Sequence, residues 1–171
     1  MVLAPRALSG VLQDIRLVGL VTGKIAEASN VTAKLQDRIF AITSMTSNAS
    51  LHRPRTYMEY FPYWTFGPGS FGNDLILMAG GRNIAANATV QYPQVSSEFV
   101  ASSNPEVIIY TVGMGATTTA EEIKDRAGWG DTEGVRAGKI YSIDDNLISR
   151  PGPRLVDGLE QLAKIIHPEL F

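Results

Sequence analysis

The sequence predicts a three-layer α/β fold with a mostly parallel sheet, preceded by one long helix. Three observations predict it. From residue 55 onward, short β-branched runs alternate with amphipathic helical runs, the pattern of a parallel, doubly wound sheet. Between residues 24 and 47, apolar side chains recur at helical spacing without a break. Across the 171 residues, 44% are hydrophobic and 19% charged, enough apolar material for a core and no mark of disorder.

Taken in order, Ser9 is placed to cap a first helix in which Val11, Leu12, Ile15 and Val18 recur at helical spacing. Gly19 and Gly23 bracket a break near Thr22. A second helix from Lys24 to about Ser47 sets Ile25, Ala28, Val31, Leu35, Ile39 and Ile42 along one stripe and is roughly 35 Å long. It ends in the Ser/Thr/Asn cluster Thr43 to Ser50, before Pro54. Arg55 to Phe61 reads as a strand, Ser70 to Ala79 as a helix closed by Gly80-Gly81, and Asn83 to Ala88 as a short extended piece. Ser96 caps a short helix that stops before Pro105. Glu106 to Val112 is nearly continuous and β-branched, the mark of a buried strand. Thr119 can cap a helix over Ala120 to Ala127, with Glu121 and Glu122 well placed in its first turn. Lys139 to Ile143 is a strand, and Arg154 to Ile166 an amphipathic closing helix.

Composition excludes several function classes. Fifteen Lys and Arg against seventeen Asp and Glu, with no basic run, argue against a nucleic-acid binder. The absence of cysteine removes disulfides, thiolate metal sites and thiol nucleophiles. No apolar stretch approaches the roughly 20 residues that span a bilayer, and the start, Met1 to Arg6, is too short and too soon broken by proline for a signal peptide.

Candidate chemistry is sparse. Gly67-Pro-Gly-Ser-Phe-Gly72 matches G-x-G-x-x-G before a helix, but residues 62 to 66 separate it from its strand, and Tyr92 rather than an acid stands about 20 residues on. A glycine turn feeding a helix is the simpler reading. Val112 to Thr119 opens a helix after a strand and could cradle an anion, without a lysine at P-loop spacing. A small nucleotide-binding module using these two loops is the alternative function. His52 and His167 have no ligand-spaced partner, and no nucleophile-elbow sequence is present. Seven of the fourteen aromatics lie between Tyr57 and Phe71. Of these, Tyr63, Trp64 and Phe66 crowd a Pro/Gly-rich loop at the carboxyl end of a strand, where open α/β sheets bind ligands. Arg150 and Arg154 flank Pro151-Gly-Pro153 after the last strand and could hold an anionic group. Sequons stand at Asn30, Asn48 and Asn87.

An ordered set of stretches resembles the C-terminal half of the substrate-binding proteins of iron–siderophore, haem and cobalamin ABC importers. The stretches are Asp14 to Gly19, Asn73 to Ile84, Tyr92-Pro-Gln-Val-Ser-Ser-Glu98, Asn104 to Ile109, Val135 to Tyr141 and Arg150-Pro-Gly-Pro-Arg154. That family has two Rossmann-like α/β lobes joined by a long backbone helix, with the ligand in the cleft between them. The resemblance implies that residues 1–22 are the strand exit and last helix of an N-terminal lobe that is otherwise missing. Residues 23–50 would then be the backbone helix, and residues 51–171 the C-terminal lobe. It implies a non-enzymatic, extracytoplasmic protein, here without its signal, that binds a metal chelate such as an iron-siderophore, haem or corrinoid. The metal travels inside the ligand and no cofactor is required. It places Tyr63, Trp64, Phe66, Tyr92, Arg150 and Arg154 at the ligand and Glu98 at the membrane permease, as the acid that docks against permease arginines. A lost lobe would leave the Val11, Leu12, Ile15, Val18 stripe uncovered, so the expectation includes a homo-oligomer through helix 9–21.

Overall fold

A computed structural model describes residues 3, 5, 7–48, 50–113 and 118–171. Two helices lead the chain, α1 (Leu8–Val21) and α2 (Ile25–Thr46). They fold back on each other at Gly23, whose φ of 70° suits glycine. The elbow is tight because Gly19 has no side chain; a Cβ there would lie 2.3 Å from the Ala28 Cβ. Arg16 crosses between the helices, donating to Thr32 Oγ1 at 3.1 Å and Gln36 Oε1 at 2.8 Å.

The sheet follows: β1 (Arg55–Phe61), β2 (Trp64–Thr65), β3 (Arg82–Asn83), β4 (Val107–Val112) and β5 (Ile140–Asp144). Its order is β2-β1-β4-β5, with β3 also paired to β1. All pairings are parallel except β1 with β2. The intervening helices are α3 (Phe71–Met78), α4 (Ser97–Ser103), α5 (Ala120–Asp125), α6 (Glu133–Arg136) and α7 (Leu155–Ile166).

Side-chain alternation along the strands divides the core into two. Met58, Val107, Ile109 and Ile143 meet α1, α2, α3 and α7 on one face. Tyr57 and Ile108 meet Val100, Ile123 and Trp129 on the other. The result is the expected three-layer α/β architecture. Two devices clamp the long helix to it. Arg38 of α2 reaches Asp157 and Glu160 of α7, both at 2.8 Å, and Thr46 donates to the Met78 carbonyl at 2.7 Å.

The structure corrects several expectations. Ser9 is not a cap: α1 begins at Leu8, two residues earlier than a Ser9 cap implies, behind Ala7, and no side chain caps it. Its stripe is not left bare, because Val11 and Leu12 join the core cluster with α3 and α7, while Ile15 is half-buried and only Val18 is exposed. The open apolar positions sit at the elbow instead, at Leu20, Val21 and Ile25. On α2 the buried line is Ala28, Thr32, Leu35, Ile42 and Thr46. Two threonines replace Ile25 and Val31 because their hydroxyls are satisfied internally, Thr32 donating to the Ala28 carbonyl and Thr46 to the carbonyls of Ile42 and Met78. The strand exit before α1 falls on residues 1–6, of which Met1, Val2, Ala4 and Arg6 lie outside the described residues.

At the amino end of the strands, His52, Arg55, Asn104, Glu106 and Glu133 form a polar lattice. The His52 ring pairs with Glu106 at 2.6 Å, and Arg55 bonds Glu133 at 2.6 Å. Burial works against the Glu106 charge. The Arg55 amide, the His52 ring and the Arg55 guanidinium outweigh it and hold this carboxyl below its ordinary value.

Two outcomes follow from this packing. A Cβ on Gly72 would lie 2.3 Å from the buried Phe66 ring, so Gly72→Ala is expected to lose about 1–3 kcal/mol in urea unfolding; an unchanged midpoint would refute that contact. The stabilisation from Glu106 is present above the usual carboxylate pKa of about 4.3 and disappears as pH falls through its lowered folded value. Glu106→Gln should therefore lose less stability on acidification than the wild type, as urea titrations at neutral and acid pH would show.

Candidate functional site

The aromatic run and the two arginines of the closing turn lie toward the carboxyl ends of β1 and β5. β1 turns back on itself through Pro62 and Tyr63 into β2, and Tyr63 has a left-handed φ of 66°. A tyrosine holds that conformation only where its surroundings enforce it. Here the Tyr63 amide donates to Glu59 Oε2 at 2.9 Å, and the Tyr63 carbonyl accepts from Val95.

Glu59 was not singled out by the sequence reading, and it organises this edge. It is 1% exposed. The Arg126 guanidinium meets it bidentately at 2.7 and 2.8 Å, Tyr57 Oη donates at 2.8 Å, and Thr118 Oγ1 at 3.1 Å. Burial opposes the Arg126 charge, but the Glu59 carboxylate overcomes it and raises the guanidinium pKa further. Burial, then the neighbouring Glu59 carboxylate, push the Tyr57 phenol far above its usual range. The one sequence signal was an acid at a position of β1 where the burial pattern demands an apolar residue, which is a reason to look for a buried partner.

The aromatic run does not form one surface. Tyr63 packs on the α4/α5 side with Trp129, edge to face at 6.3 Å, beneath the Arg126 guanidinium. Tyr60, Phe66 and Tyr92 make a separate triad, with centroids 5.1 to 6.1 Å apart. Phe66 is 2% exposed and lies beneath the other two; Tyr92 is 45% exposed and forms its rim. Backbone pairing brings these pieces together. The segment 91–95 runs along β2 through bonds from Thr65 N to Pro93 O, Gly67 N to Gln91 O and Val95 N to Tyr63 O, with Trp64 bridged to Gln94. Half-buried Trp64 and exposed Tyr92 thus stand on adjacent extended segments.

The segment runs straight into α4. Ser96 caps that helix by accepting from the Phe99 amide at 3.1 Å, and Glu98 is exposed in its first turn. Backbone and Ser96 hydrogen bonds keep the Glu98 carboxyl below its ordinary pKa, so it presents a charge. Arg150 and Arg154 are exposed on the turn after β5, beyond β4 in the sheet order and therefore apart from the aromatic pair. Both add to the attraction felt by Asp144, whose carboxyl is kept low chiefly by the Asn146 amide and side chain.

The glycine loops have structural work. Gly67 lets the chain pass the Val90 carbonyl, Gly69 has a φ of 82°, and Gly72 receives the Phe66 ring, while Ser70 caps α3. The Gly67 amide is bonded to the Gln91 carbonyl and the Ser70 amide to the Gly67 carbonyl, which commits both to the turn. Of the second loop, residues 114–117 lie outside the described residues. His167 is buried between Glu169 and the Gly80 carbonyl. Among the described residues, no group of His, Cys, Asp or Glu is placed to hold a metal ion, and no helix is long and apolar enough to cross a membrane.

Comparison with known proteins agrees with this architecture. The cobalamin-binding protein of Halobacterium salinarum is 32% identical over 169 residues, which cover 96% of this chain and 46% of that protein. An uncharacterized ABC transporter substrate-binding lipoprotein of Bacillus subtilis is 26% identical over 170 residues, covering 97% of this chain and 52% of that one. The chain thus spans about half the length of the curated relatives it matches. Among solved structures, the apo periplasmic haem-binding protein RhuT of Roseiflexus sp. RS-1 superimposes with a TM-score of 0.84 at 22% identity, over 98% of this chain and 65% of that one. A family model described as periplasmic binding protein matches residues 2–147. By that match the chain belongs to the periplasmic binding protein family.

Proposed function

We propose that this chain is the C-terminal lobe of the solute-binding component of an ABC importer, and that its role is binding rather than catalysis. Residues 23–50 serve as the interlobe helix, residues 51–171 as the ligand-facing lobe, and residues 1–22 as the last helix of a preceding lobe. The protein works outside the cytoplasmic membrane and hands its ligand to the permease subunits.

One observation carries the ligand reading: half-buried Trp64 and exposed Tyr92 stand on paired extended segments, Trp64 opposite Gln94, at the carboxyl end of β1. Such a rim offers flat apolar area to a large ring or chelate without ordering a flexible side chain. The bound species is a metal chelate, and the cobalamin-binding relative makes a corrinoid the first to test. Tyr63 and Phe66 support the rim from beneath. Arg150 and Arg154 lie on a separate turn at the same end of the sheet and suit peripheral carboxylates or phosphates of the ligand. Glu98 is the permease-docking acid, supported by its exposure and its lowered pKa at a capped helix start.

In the native protein, visible-spectrum titration with cyanocobalamin should saturate. Tyr92→Ala and Trp64→Ala should each weaken binding about tenfold or more, the cost of losing one well-packed aromatic contact. If neither cyanocobalamin, haem nor a ferric siderophore binds saturably, or if both variants bind as wild type, the reading fails. Glu98→Ala should leave that affinity unchanged while lowering uptake in cells carrying the permease.

A further inference from the structure

The Glu59–Arg126 pair stands out because it is expensive. Both side chains are withdrawn from water, 1% and 10% exposed, and a buried ion pair is in general no more stabilising than well-packed apolar residues in its place. What the pair does is visible in what it touches. Glu59 accepts from the Tyr63 amide, from Tyr57 and from Thr118, the residue that precedes the α5 cap. The Arg126 guanidinium lies 4.5 Å from the Tyr63 ring centre and 4.7 Å from that of Trp129. Trp129 Nε1 in turn donates to Ser97 Oγ at 2.9 Å, at the first residue of α4.

We propose that Glu59 and Arg126 form a positioning pair that holds Tyr63 in its left-handed conformation and thereby sets the geometry of the Trp64–Tyr92 rim. This rests on the binding role proposed above. A non-glycine residue at φ 66° carries a backbone cost, and the turn relaxes unless an acceptor is fixed beneath its amide. The Glu59 carboxylate is that acceptor, and it has a single orientation because the planar guanidinium grips both oxygens. Tyr63 is directly followed by Trp64, and its carbonyl holds Val95, so a relaxed turn shifts both edges of the rim together. Lysine cannot replace Arg126 in this role, since a point charge gives neither the two parallel bonds nor the planar group that lies against both rings.

The test compares wild type with Arg126→Lys, which keeps the charge, and with the Glu59→Gln/Arg126→Met pair, which removes both charges. Hydrogen exchange and cyanocobalamin titration are read on each. In Arg126→Lys, amides of residues 62–66 and 92–96 should exchange at least about tenfold faster while those of β4, β5 and α7 keep their protection, and cyanocobalamin affinity should fall about tenfold. The double variant should keep its unfolding midpoint near that of wild type and still show the fast-exchanging turn. Wild-type exchange at residues 62–66, or acceleration spread evenly over the sheet, would overturn the proposal. So would a loosened turn with unchanged affinity. A wild-type protein that binds no cyanocobalamin would instead remove the corrinoid as ligand and leave the positioning role to the exchange pattern, which is measured without ligand.

Discussion

The carboxylate of Glu59 ties together the carboxyl end of the sheet. It sits in the interior at the end of β1 and joins four separate pieces of chain: β1 itself, the turn into β2, the residue before α5 and the arginine that ends α5. An unpaired carboxylate at that depth would be strongly unfavourable, so the arginine, the phenol, the hydroxyl and the amide have to arrive together. That requirement couples elements far apart in sequence, since residues 59 and 126 lie on either side of α3, α4 and β4. The tight turn into β2 bonds the same carboxylate through the Tyr63 amide, and segment 91–95 bonds that turn through the Tyr63 carbonyl.

The opposite side of the molecule is organised by different means. The long helix α2 is held by apolar contacts, by Arg38 between two acids of α7, and by one threonine donating across to α3. The exposed ion pairs there contribute modestly; the buried line Ala28, Leu35 and Ile42 sets how α2 lies on the layer beneath. The Arg38 and Thr46 contacts hold the carboxyl-terminal half of the 22-residue helix, and the solved haem-binding protein superimposes over nearly the whole chain, helix included.

Much of the scaffold was legible in the residues. β1 and β4 came from β-branched, apolar runs, and their bounds agree to within a residue; the caps at Ser70, Ser96 and Thr119 were visible because a short polar side chain stood just before each helix. Ser9 failed as a cap because the preceding residues allowed the helix to start earlier. β2 and α6 were missed because elements of two and four residues carry no period to detect. At the candidate site, the aromatic bunching, Tyr92, Glu98 and the two arginines could be named from sequence, whereas Glu59 and Arg126 could not. The position of Glu59 in β1 is a hint for the acid alone, and nothing local marks Arg126 as its buried partner.

What the sequence determined by itself, then, is the order of the elements, the apolar faces and the family, since these depend on local period and on motifs read along the chain. Only the tertiary structure decided how the aromatic run divides, with Tyr63 turned toward Trp129 on one side of the sheet and Phe66 and Tyr92 gathered on the other. The physical reason is that strand pairing and a left-handed turn assign each ring to a face, and the turn is bonded to a carboxylate two of whose partners, Thr118 and Arg126, lie more than fifty residues away.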